Sequence, residues 1–216
     1  MAFRYVFFDL DGTLTDSFEG ITKSVQFALE HFGINISDRN KLRCFIGPPL
    51  KEQFAAFAGF TEEQAVEAVA TYRVRYREIG WKECELIEGA EKTLKALKEK
   101  GLIIALATSK PELFATKIIE HLGLGGYFDF ISGADFEGKK THKPDVIRCA
   151  LDELGVTEPS SVLMVGDTKF DVEGAKICGV KSAGVLCGFG SREEMEAQGA
   201  DFIVETLEEI IDIAVK

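Results

Sequence analysis

Residues 3–10 form a run of aromatic and β-branched side chains that closes on Asp9, with Asp11 and Gly12 just beyond, and this pattern predicts a buried strand. After Asp16 the rhythm changes. Ile21, Val25, Leu29 and Phe32 recur at helical spacing before Gly33, a stop signal. Leu50, Phe54 and Phe57 continue the pattern, and Thr61 is placed to cap a helix over residues 62–79. No strand-like stretch interrupts residues 17–83, which therefore read as an all-helical insert. Strands and helices then alternate: a helix over 90–100, a strand over 102–107, a helix over 111–121 and a strand over 128–132. Further strands are expected at 162–165, 181–186 and 201–204, with helices starting near Pro144, Lys169, Ser191 and Thr206. Such alternation predicts an α/β fold, a Rossmann-like parallel sheet covered on both faces. The expected division is a core of residues 1–16 and 84–216 with a helical cap domain of 17–83, joined through hinges near residues 15–17 and 82–88.

Composition narrows the function. The chain has 216 residues, 46% hydrophobic and 28% charged, as in ordinary globular proteins. Acidic residues outnumber basic ones by 36 to 25, for a net charge of -11, which argues against nucleic acid or an anionic membrane as partner. The same surface repels anionic substrates, so a site for phosphate must bring its own positive charge. Five scattered cysteines without a CxxC pair suggest neither a disulfide framework nor a thiolate zinc site, but buried free thiols in a reducing cytosol. The N-terminus lacks the pattern of a signal peptide and no stretch is long enough to span a membrane, so a cytoplasmic protein is expected.

Four clusters each follow a predicted strand, where ligand sites of parallel sheets lie. The first is Asp9-Leu10-Asp11-Gly12-Thr13. Two carboxylates at this spacing point to similar sides and can divide the roles of nucleophile and proton carrier, while Gly12 lets the backbone turn N–H groups toward an anion. The second, Thr108-Ser109-Lys110-Pro111, is read as a strand end entering a helix, with a hydroxyl and N–H groups facing a phosphate. In the third, His142-Lys143-Pro144-Asp145, the lysine can neutralise phosphate charge. The fourth, Gly166-Asp167-Thr168-Lys169-Phe170-Asp171, places two acids on one face of a helical turn. Acids gathered in this way need a cation, and an all-oxygen set favours magnesium over zinc. Each cluster alone is compatible with ordinary helix capping; four in this order are not. Outside them, residues 72–77 form a basic, aromatic stretch read as a solvated helix face, and His31 and His121 are placed to cap helix ends.

The combination of Asp9-x-Asp11-Gly12-Thr13, Thr108, Lys143 and Gly166-Asp167-x-x-x-Asp171 resembles the haloacid dehalogenase superfamily over essentially the whole chain. The turn Gly188-Phe189-Gly190 and residues 199–203 are similar to its phosphoglycolate phosphatase-like group, and residues 45–50 to a bacterial 5′-nucleotidase-like subgroup. The resemblance implies that Asp9 is the nucleophile, forming an aspartyl-phosphate, and Asp11 the general acid/base. It implies Mg²⁺ held by Asp9, the Asp11 backbone carbonyl, Asp167 and Asp171, the last through the second coordination sphere. Thr108 and Lys143 would serve catalysis and, with Gly12 and Ser109, bind phosphate. Lys23, Gly47, Pro48 and Pro49 would shape specificity from the cap. The expected activity is hydrolysis of a small phosphorylated metabolite, phosphoglycolate or a nucleoside monophosphate, by a monomer or homodimer. A sugar-phosphate phosphatase, phosphomutase or pyrophosphatase is the alternative; Asp11 argues against a dehalogenase.

Overall fold

The structure, a computed structural model, describes residues 3–136 and 139–216. Strand β1 (Tyr5–Phe8) leads through β2 (Thr15–Asp16) to helices α1 (Phe18–His31), α2 (Leu50–Ala58) and α3 (Glu62–Glu78), and β3 (Glu85–Leu86) follows. Thereafter come α4 (Ala90–Glu99), β4 (Ile103–Pro111), α5 (Glu112–His121), β5 (Phe130–Ala134) and α6 (Lys143–Glu153). The remainder is β6 (Val162–Gly166), α7 (Lys169–Cys178), β7 (Lys181–Val185), α8 (Arg192–Gln198), β8 (Phe202–Val204) and α9 (Glu209–Val215). The chain divides into two compact units, Met1–Asp16 with Leu86–Lys216, and Ser17–Glu85. Among the described residues no helix is long and apolar enough to cross a membrane.

The first unit is built on a six-stranded sheet in the order β5-β4-β1-β6-β7-β8, with its pairings parallel. Because neighbouring residues of a strand face opposite ways, Tyr5 and Phe7 share one face with Ala105, Ala107, Val162 and Met164. Val146, Ile147 and Ala150 of α6 and Ala175 of α7 pack on that face. Val6, Phe8, Ile104 and Leu106 fall on the other and are fully buried. Each such side chain contributes on the order of 1.5–3 kcal/mol by leaving water. Burial on both faces is why these strands read as continuous apolar runs rather than alternating ones.

The second unit packs three helices around aromatic side chains. Phe45 and Phe54 are buried with ring centroids 4.9 Å apart, and Phe57 lies 5.4 Å from Phe45. Helix α3 starts at a capping box in which Gln64 N–H donates to Thr61 Oγ1 and Thr61 N–H to Gln64 Oε1. Gly20 and Gly80 let two segments touch backbone to backbone: a Cβ on Gly20 would fall 2.0 Å from Gly80 O. Gly20 N–H donates to Glu83 O nearby, at 3.0 Å.

Three sequence expectations change. The 72–77 stretch is not a solvated face, since Tyr72 and Tyr76 are buried and stacked, and half-buried Arg75 donates to Ser24 Oγ and to both oxygens of Glu83. His31 does not cap its helix through its ring, which instead meets Glu67 at 2.9 Å. Nor are the thiols buried: Cys44 and Cys187 are exposed and Cys84, Cys149 and Cys178 half-buried.

Candidate active site

The polar residues of interest lie at the carboxyl edge of the first unit's sheet. Asp9 continues β1, its N–H donating to Val165 O at 2.9 Å, so the β1–β6 pairing carries it to the edge beside Asp167. Asp167 follows Gly166, the last residue of β6, one residue before Thr168, the N-cap of α7. The two acids of this cluster thus meet across a strand-to-helix turn and not on one helical turn. Asp171 is fixed by that cap, its Oδ2 accepting from Thr168 N–H at 3.0 Å and Thr168 Oγ1 at 2.8 Å. Gly166 is required by packing, because a Cβ there would lie 2.1 Å from Asp171 Cγ.

Asp9, Asp167 and Asp171 are buried, and each presents an oxygen within 4.8 Å of the others. Lys143, the first residue of α6, runs along α7 through space left by Gly174. Its Nζ donates to Ala107 O and lies 2.7 Å from Asp9 Oδ1 and 2.8 Å from Asp171 Oδ1. Apart from this ammonium, neither oxygen has a polar partner among the described residues. Asp167 is held by other donors: Thr13 Oγ1 at 3.1 Å on Oδ1 and Phe189 N–H at 2.8 Å on Oδ2. Gly12, at φ 87°, and Gly188 close on the same carboxylate, where either Cβ would come within 2.3 Å of Asp167 Oδ2.

Burial first, then the Asp171 and Asp9 charges, push the Asp167 carboxyl well above its ordinary range. Burial also raises Asp171, against the pull of Lys143. For Lys143, burial alone would lower the pKa, but the Asp171 and Asp9 carboxylates outweigh it and hold the ammonium above its ordinary range. One lysine against three acids leaves two negative charges uncompensated when all are ionised. An oxygen-only donor set of this charge, with two buried oxygens met only by Lys143 among the described residues, fits a divalent cation.

The Asp11 carboxylate is not among the three that gather. It is buried and receives Lys110 Nζ at 2.7 Å on each oxygen. Lys110 gained no role from sequence because residues 108–111 were read as a helix start. They continue β4, with a shift of register between Ala107 and Pro111, and the helix begins only at Glu112. As a strand, β4 places buried Ile104, Leu106, Thr108 and Lys110 at alternate positions, a period-two signal present in the sequence. Thr108 Oγ1 accepts from Lys110 N–H at 3.2 Å, and Ser109 is half-buried. The Phe189 N–H, a backbone donor, left no trace in residue type. In the helical unit, Lys23 contacts Glu19 at 2.8 Å and Glu83 at 3.1 Å. Gly47 has φ 102°, and Pro49 precedes α2.

Fold and site together define an α/β protein with a cation-seeking acidic centre at the carboxyl edge of a parallel sheet. Comparison with known proteins specifies it further. Residues 6–185 match the haloacid dehalogenase-like hydrolase family, and the chain belongs to it. It is 45% identical over 198 residues to a 5′-nucleotidase of Pseudomonas aeruginosa, covering 91% of this chain and 89% of that protein. It is 37% identical over 203 residues to the tyrosine-protein kinase PtkA of Mycobacterium tuberculosis, covering 94% of this chain and 66% of that protein. The crystal structure of a predicted phosphatase from Clostridium acetobutylicum superposes with a TM-score of 0.95 at 43% identity, covering 99% of this chain and 98% of that one.

Proposed function

We propose that this protein is a magnesium-dependent phosphomonoester hydrolase of the cytoplasm that works through an aspartyl-phosphate on Asp9. The observation that carries the reading is the buried convergence of Asp9, Asp167 and Asp171 beside Lys143. Asp9, Asp167, Asp171 and the Asp11 carbonyl would hold the ion, which when bound supplies positive charge to the phosphoryl oxygens and to the acids around them. Gly12, Thr108 and Ser109 orient the phosphate, and Lys143 neutralises it. An Asp9 oxygen attacks phosphorus while the bond to the leaving oxygen breaks, and Asp11 gives that oxygen its proton. Water then attacks phosphorus and loses a proton to Asp11, and the bond to Asp9 breaks to release phosphate.

The substrate is a small phosphorylated metabolite, a nucleoside monophosphate first and phosphoglycolate second; the nucleotidase relative supports that order. The helical unit acts as the cap, with Lys23, Gly47, Pro48 and Pro49 choosing the leaving group, in a monomer or homodimer. Turnover of p-nitrophenyl phosphate and a panel of phosphorylated metabolites, with Mg²⁺ and with chelator, tests the reading. Asp9→Asn keeps the side-chain volume but loses the nucleophile, so kcat falls by about a thousandfold or more. Near wild-type turnover by Asp9→Asn, or equal turnover in chelator, overturns the proposal. The PtkA relative motivates a parallel assay with ATP and a tyrosine peptide, in which peptide phosphorylation without phosphate release would favour a kinase.

A further inference from the structure

Asp11 stands two positions from Asp9 and is buried, yet its carboxylate is not among the three that gather. Lys110 occupies both its oxygens at 2.7 Å, and the two side chains are only 4% and 10% exposed. Lys110 reaches Asp11 from β4, the strand paired with β1. It sits at the shifted end of β4, where its own N–H is tied to Thr108 Oγ1.

We propose that Lys110 is a positioning residue that keeps the Asp11 carboxylate out of the cation site of Asp9, Asp167 and Asp171, paired to the ammonium instead of to the ion. This rests on the phosphatase reading above. The physical reason is competition for one anion. A buried carboxylate stripped of its partner needs another positive charge, and the charge this site collects is a divalent ion held by Asp9, two residues away, with Asp167 and Asp171. A fourth carboxylate would tighten ion binding while withdrawing Asp11 from proton transfer. Calcium, which accepts more oxygens at looser geometry, would gain more from it than magnesium.

Calorimetric titration of the full chain with Mg²⁺ and with Ca²⁺ tests this. Lys110→Met should raise divalent affinity by about tenfold, the scale of changes next to ligands, with the larger gain for Ca²⁺, while kcat falls. Lys110→Arg should restore both. General damage to the site would lower affinity, so the sign separates positioning from disruption. In an Asp11→Asn background the same lysine substitution should leave affinity unchanged. A rise that persists there reflects only the loss of a nearby positive charge and overturns the proposal, as does an unchanged or lower affinity in the single variant. If Lys110→Met does not fold, Lys110→Gln carries the same expectation with a smaller rise. Absence of phosphatase activity in the wild type would refute the functional reading while leaving the affinity comparison intact.

Discussion

Replacing Lys143 with methionine removes the positive charge touching Asp9 and Asp171 while keeping most of the side-chain volume. With an effective dielectric near 20, a contact at 2.7 or 2.8 Å is worth about 6 kcal/mol of attraction, and two carboxylates no more than 4.8 Å apart repel by at least about 3.5 kcal/mol. The two attractions are of the same order as the three repulsions among the acids, so the lysine offsets a large part of the strain in the metal-free site. Without it the acids relieve their repulsion by binding protons, and the net cost is the roughly 3–5 kcal/mol typical of orphaning one partner of a buried pair. For a chain of this size that is about 6–20 °C in Tm. Thermal unfolding in chelator and in excess Mg²⁺ measures it. The variant should melt well below wild type in chelator and gain more than wild type from Mg²⁺, since its acids then lack any lysine. A Tm in chelator within a degree of wild type would refute the charge balance.

Two further outcomes are expected. Gly188→Ala places a Cβ 2.2 Å from Gly12 O and 2.3 Å from Asp167 Oδ2, so it should weaken Mg²⁺ affinity about tenfold at a stability cost of about 1–3 kcal/mol; unchanged affinity by calorimetry would show that the turn can yield. Glu83 is held below the ordinary glutamate range by Arg75 first, then Lys23. Its contribution is therefore present above the ordinary value of about 4.3 and is lost as pH falls through the depressed value. The Tm gap between wild type and Glu83→Gln should shrink as pH falls below the ordinary glutamate range, and a gap that grows in acid would contradict the assignment.

The parallel sheet was readable because buried strands announce themselves as apolar runs: those over 102–107 and 162–165 were found to within a few residues of β4 and β6. The start of α3 was equally plain in Thr61 and its following acids. What local pattern could not settle was Thr108-Ser109-Lys110-Pro111, since hydroxyls before a proline suit a helix start as well as an irregular strand end. The Lys110–Asp11 pair joins residues 99 positions apart, so neither partner carries a local sign of the other. Arg75 shows the same limit from another side. Its helix position suggested solvent, but a half-buried glutamate beyond the end of α3 takes it in.

The pairing of β1 has a consequence for the order in which the chain can fold. Tyr5 pairs with Ile103 on one side and Val162 on the other, so the strand carrying Asp9 is made first but lies between two neighbours made much later. During synthesis the three-helix segment, whose contacts are local, can assemble while β1 still has no sheet to enter. Asp9 reaches its acidic neighbours only after residue 171 has left the ribosome. A nascent chain therefore keeps the Asp9 carboxylate apart from Asp167 and Asp171 for most of its synthesis, and the acidic centre forms late.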